Sequence, residues 1–236
     1  MRFNELSVQS IPYQETLNPL LWANNQLKTE IRYQLLLIAR HFTEFLKVES
    51  MHLKDITISG SNASYGYSEF SDIDLHLVVD IPSDKPELVE LYDAKKNQYN
   101  FTYNIKIKDI DVELYVQDSK QHHESAGIYS IINDKWVKEP KHQTPRVSEQ
   151  EVNDKARNYV GQINQALKSS KLKLAKDTMD NIKRLRKSGL DDVGEFSVEN
   201  LAFKVLRAHG KIDKLRNHIN KLQSSALSLG EQNEDL

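Results

Sequence analysis

Between Ser71 and Asp80 the chain alternates in character. Ile73, Leu75, Leu77 and Val79 share one parity, and Asp72, Asp74, His76 and Asp80 share the other. Side chains of a strand change face at every residue, so this run is predicted to be a strand with its apolar parity against a core. The other face then carries Asp72 and Asp74 about 6.5–7 Å apart along the backbone. Like charges held side by side repel, and a folded protein rarely accepts them unless a cation lies between. A second β-prone run, Ile56-Thr57-Ile58, precedes the doublet Gly60-Ser61, and Asp72 follows twelve residues after Gly60.

The Gly-Ser turn, a short helical spacer containing Ala63 and Gly66, and then Ser71-Asp72-Ile73-Asp74-Leu75 together resemble the signature of the DNA polymerase β-like nucleotidyltransferase superfamily. The likeness is to its small stand-alone bacterial and phage members and spans residues 54–118, about a quarter of the chain. An Asp-x-Asp pair alone would be weak. The glycine-serine doublet at this distance, between two apolar strands, makes the pattern specific.

The resemblance implies transfer of a nucleoside monophosphate from a triphosphate to a hydroxyl. Two divalent ions about 3.5–4 Å apart lower the hydroxyl pKa, neutralise the phosphorus and hold the leaving oxygens. Oxygen ligands suit Mg²⁺ (or Mn²⁺), so Asp72 and Asp74 are expected as metal ligands and catalytic residues. Gly60 lets backbone approach a triphosphate, and the following amides and the Ser61 hydroxyl are expected to donate to anionic oxygens. A third acidic residue on a neighbouring strand is also implied. Asp111 and Glu113 share one face of the run Ile110–Val116. Asp111 fits by residue type. Glu113, deeper between Val112 and Leu114 in a Val-Glu-Leu run like that of phage-type members, is favoured as the third ligand. One departure stands out: Tyr67, Glu69 and Phe70 occupy positions where many relatives carry Arg or small polar residues. A basic contact to the terminal phosphate is therefore expected from elsewhere, such as a lysine of the C-terminal helices.

Other polar clusters read as ordinary surface. His122-His123-Glu124 has metal-ligating residue types, but adjacent histidines on one strand point apart, and the tract is read as loop. His76 is read as a polar rim residue that also has the parity to line the site. Asp80 is at the far end and read as structural. Lys183-Arg184-Leu185-Arg186-Lys187 is the densest basic cluster; it suits either a nucleic-acid backbone, RNA or tRNA included, or an exposed helix face.

The 236 residues suffice for one large or two small domains. Formal net charge is −2, but residues 1–150 carry 16 Lys/Arg against 22 Asp/Glu and residues 151–236 carry 16 against 12. The acidic part holds the expected metal site, and the basic part could face a phosphate-rich partner. There is no cysteine, which excludes disulfides, thiolate zinc sites and cysteine nucleophiles and fits a reducing cytoplasm. Met1-Arg2-Phe3-Asn4-Glu5 lacks a signal-peptide pattern, and no apolar run reaches ~18 residues. A cytoplasmic protein with no membrane segment is expected.

The predicted fold class is α+β: a small mixed sheet with flanking helices, then an all-helical C-terminal domain. Residues 1–140 form the catalytic domain, 148–227 the helical one, and 228–236 a frayed tail. A helix start is predicted at 17–24 and an amphipathic helix near 27–48, with Ile31, Leu35, Ile38, Phe42, Phe45 and Leu46 on its buried stripe. Strands follow at 54–59 and 71–80, then a helix to about Tyr99 capped by Ser83 or Asp84, and strands at 102–107 and 110–116 joined through Lys108-Asp109. Another extended piece, 127–132, turns at Asn133-Asp134. The prolines in 138–147 mark the boundary. Ser148 and Glu151 have capping-box spacing, and helices are predicted at 149–169, 171–188 and 197–224. The implied acceptor is an RNA 3′ end, a protein side chain or a small molecule. The competing class is a non-catalytic nucleotide- or partner-binding module, antitoxin- or sensor-like, on the same fold.

Overall fold

The alternating run is strand β4 (Ile73–Asp80), and its apolar residues Ile73, Leu75, Leu77 and Val79 are all fully buried. The structure is a computed structural model describing residues 14–48, 51–121, 125–142 and 146–228. The N-terminal residues, the His122-His123-Glu124 tract, positions 143–145 of the proline-bearing stretch and the tail past Ser228 lie outside the described residues. The chain is α+β and divides into two compact units, the described residues up to His142 forming one and those from Arg146 the other.

The first unit is built on a six-stranded mixed sheet. Besides β4 it contains β3 (His52–Ser59), β5 (Lys106–Ile107), β6 (Ile110–Asp118), β7 (Ile128–Ser130) and β8 (Lys135–Lys138), in the order β5-β6-β4-β3-β7-β8. The pair β4–β6 is parallel and every other pair antiparallel. Helices α1 (Thr29–Leu46) and α2 (Glu87–Thr102) supply the other half of the core. On α1 the predicted stripe is buried at Ile31, Leu35, Ile38, Phe42 and Leu46, with Phe45 only partly covered. Each such side chain contributes roughly 1.5–3 kcal/mol on leaving water. Tyr99 of α2 is buried beside them, its ring 4.7 Å from that of Phe42 and its hydroxyl 2.7 Å from His41 Nδ1.

Three local expectations are corrected. The helix start predicted at 17–24 ends instead in a miniature hairpin of β1 (Trp22–Ala23) and β2 (Gln26–Leu27). Asn24 and Asn25 both take positive φ, which asparagine tolerates better than most residues and which a two-residue turn requires. Trp22 stacks on Trp136 at 4.7 Å, and the Trp136 indole donates to the Asn25 carbonyl. Secondly, α2 begins after Pro86 with no side-chain cap, so neither Ser83 nor Asp84 has that role. Thirdly, α2 absorbs the start of the strand predicted at 102–107, leaving two residues as β5. The Asn100 side chain replaces the missing ladder by accepting from Leu114 N–H and donating to Leu114 C=O, both at 3.0 Å.

The second unit is helical: α3 (Glu149–Leu167), α4 (Leu172–Asp192), α5 (Val198–Ala208) and α6 (Lys211–Leu227). Ser148 and Glu151 form the reciprocal capping box at the start of α3. The single helix predicted at 197–224 is broken in two by Gly210, whose φ of +63° ends one helical path and opens another. Arg186, one of the basic cluster, points inward over the Phe203 ring at 4.4 Å and donates to Asn200, while Lys183, Arg184 and Lys187 are exposed. Among the described residues no helix is long and apolar enough to cross a membrane.

Candidate active site

Register alone assembles the polar face of the sheet. Asp74 lies opposite Ser59 on one side and Glu113 on the other, and His76 lies opposite Thr57 and Tyr115. Register partners share a face, so two polar rows cross the three central strands. Neighbouring strands are about 4.8 Å apart, and like charges directly opposite are destabilising. Asp74 and Glu113 are such a pair. Asp72 lies two residues before Asp74, just ahead of β4, and all three are partly buried.

Gly60 closes the other side of Asp74. It ends β3 with φ +73° and ψ −160°, and a Cβ built on it would collide with Asp74 Oδ2. Its amide donates to Ser125 Oγ at 3.1 Å, and that hydroxyl in turn donates to the Gly127 carbonyl at 2.9 Å. The helical spacer after the turn is one turn of 3₁₀-helix, Ser61–Ala63. Asn62, 1 % exposed, ties the turn to the aspartates: its Nδ2 donates to the carbonyls of Ser71 (3.0 Å) and Asp72 (2.8 Å). Its Oδ1 accepts from Asn18 at 2.8 Å, and its carbonyl accepts the Trp22 indole at 2.7 Å. A fully bonded buried amide of this kind fixes backbone placement.

The two acidic positions on β6 stand in different surroundings. Asp111 pairs with Lys106 at 2.8 Å at the start of the hairpin. Glu113 Oε2 accepts the Tyr115 hydroxyl at 2.5 Å. Burial pushes the Tyr115 hydroxyl well above the ordinary phenol range, and the charges of Asp74, Glu113 and Asp72 push it further. Thus the charges of Asp72, Asp74 and Glu113 all act on one hydroxyl. The Tyr115 ring stacks on His76 (4.9 Å, 18°), which shares a hydrogen bond of 3.0 Å with Ser59 Oγ. Lys96 Nζ lies 5.2 Å from the same ring and 3.4 Å from Asp93. Asp80, at the far end of β4, pairs with Lys54 and accepts from Ser119, contacts that hold its carboxyl below the usual range.

Among the described residues, no group of three or more His, Cys, Asp or Glu side chains is placed to hold a metal ion. The donor set nevertheless has the chemistry a hard cation takes: carboxylate oxygens on adjacent strands, with Gly60 leaving space beside one of them. Sequence reasoning passed over Asn62, Ser125 and Tyr115. Only Tyr115 carried a usable signal, its shared parity with Glu113 on the same strand.

No family model and no curated protein matches the chain. Among solved structures it is similar to a STING-associated CdnE c-di-GMP synthase from Capnocytophaga granulosa, at 13% identity over 85% of this chain and 84% of that one, with a TM-score of 0.25. At that TM-score the two backbones agree too loosely to carry a functional conclusion, which must come from this chain's own residues.

Proposed function

We propose that the chain is a metal-dependent nucleotidyltransferase that moves a nucleoside monophosphate from a triphosphate onto a hydroxyl. Asp72, Asp74 and Glu113 are its metal-binding and catalytic carboxylates. The single observation that carries this reading is the register that sets Asp74 beside Glu113, with Asp72 two residues ahead of Asp74, against the Gly60-Ser61 turn. Asp111, neutralised by Lys106, is left as a strand-end carboxylate.

Bound Mg²⁺ or Mn²⁺ would supply positive charge at the α-phosphorus and its leaving oxygens. The chain's own part is to hold Asp74 and Glu113 side by side with Asp72 just ahead of Asp74, and to leave room beside Asp74 at Gly60. In this reading Gly60 and Ser61 border the triphosphate. Since the Gly60 amide is engaged by Ser125, the contribution of Gly60 is its missing side chain, and Ser61 supplies the hydroxyl donor. The exposed Lys183, Arg184 and Lys187 of α4 are the groups available to an RNA or tRNA acceptor; a protein or small-molecule acceptor would not need them.

That no three metal-ligating side chains are grouped among the described residues favours one other reading, a nucleotide- or partner-binding module without turnover. Purified protein incubated with each α-³²P nucleoside triphosphate, Mg²⁺ or Mn²⁺, and total RNA or cell lysate separates the two. Label incorporation that Asp74→Ala abolishes supports the transferase. Nucleotide binding with no incorporation under any combination supports the module, and incorporation untouched by Asp74→Ala removes Asp74 from the chemistry.

A further inference from the structure

A glutamate on a strand has three side-chain torsions and a large rotamer entropy, up to about 1.5–2 kcal/mol. Glu113 does not sample that space unaided. The Tyr115 hydroxyl, two residues along the same face, donates to Glu113 Oε2 at 2.5 Å, the length of a strong charge-assisted bond. The tyrosine is itself held. Its ring lies nearly parallel to His76 at 4.9 Å, and the imidazole Nε2 is 3.0 Å from Ser59 Oγ. Contacts therefore run from Ser59 on β3, through His76 on β4, to Tyr115 and Glu113 on β6, across every strand that bears the acidic row.

We propose that Tyr115 is a positioning residue that orients the Glu113 carboxylate and thereby sets how tightly the acidic row takes a divalent cation. The inference rests on the reading of Asp72, Asp74 and Glu113 as a cation site. Partners that orient a metal-binding carboxylate typically change metal affinity about 10–100-fold when removed. Phenylalanine at 115 keeps the ring that stacks on His76 and removes only the hydroxyl, so a purely packing role for Tyr115 would survive the change.

The test is Mn²⁺ binding to the full-length protein, followed by the loss of the free-ion electron paramagnetic resonance signal. Four proteins are compared: wild type, Tyr115→Phe, Glu113→Gln and the double variant, with Asp74→Asn as the control for the site itself. Asp74→Asn should lose binding, and Tyr115→Phe should bind about tenfold more weakly. In the Glu113→Gln background, Tyr115→Phe should have no further effect, because the carboxylate it orients is gone. Equal Mn²⁺ affinity of wild type and Tyr115→Phe, with Asp74→Asn still losing binding, overturns the role of Tyr115 and leaves the cation site standing. Additive losses in the double variant overturn it as well. Mn²⁺ binding that is absent from wild type, or indifferent to Asp74→Asn, overturns both.

Discussion

Gly60 adopts a backbone conformation that belongs almost wholly to glycine, and it does so against the carboxylate of Asp74. An alanine there would meet two penalties at once: roughly 1–3 kcal/mol for the backbone and the displacement of Asp74. Urea unfolding of Gly60→Ala is expected to show a loss in that range, together with weakened Mn²⁺ binding. A variant as stable as wild type with unaltered affinity would mean that the turn and the aspartate are not coupled. At this scale the candidate site was legible as a pattern, because Gly60, Asp72, Asp74 and Glu113 differ in kind from their neighbours. Asn62 was not, and Tyr115 only through the parity it shares with Glu113. An asparagine in a polar spacer and a tyrosine in a strand look ordinary until tertiary contacts give each of them partners.

Elements with a local cause were the most legible. The reciprocal bonds of Ser148 and Glu151 begin α3 where the sequence placed them, with Ser148 N–H donating to Glu151 Oε2 at 2.8 Å. Ser148→Ala should therefore cost about 1 kcal/mol, read as a shift in the urea midpoint with an unchanged slope. No shift would mean that tertiary packing alone secures the end of α3. Elements whose ends depend on distant groups were misjudged. Residues 102–105 have strand-like composition, yet the bonds between Asn100 and Leu114 let α2 run on to Thr102. Around Asn24 and Asn25, the aromatic cluster of Trp22, Tyr129 and Trp136 outweighs the weak helical signal before it.

Across the whole molecule, tyrosine burial predicts an alkaline limit to stability. Burial raises the hydroxyls of Tyr99, Tyr129 and Tyr159 to about 12, helped by Tyr103, by Asp134 and by Glu199 respectively. Unfolded tyrosine ionises near 10. A folded-state value raised in this way means the native state keeps its protons longer. The corresponding stability is complete below about pH 10 and is lost as pH rises toward about 12. Ultraviolet titration should show a set of the ten tyrosines ionising only as the circular dichroism signal collapses. Ionisation of all ten near pH 10 with the fold intact would refute this. Tyr99 and Tyr129 belong to the sheet unit and Tyr159 to the helical one, so both units should report.

The six-stranded sheet ends in β5, two residues long and bearing Lys106, and in β8, where Lys135 and Lys138 are exposed. Brief borders and outward lysines discourage a foreign strand from joining by main-chain pairing. Growth into fibrils through this sheet is thus disfavoured, and side chains on a face or a loop offer a macromolecule a better hold on that unit than its strand edges do.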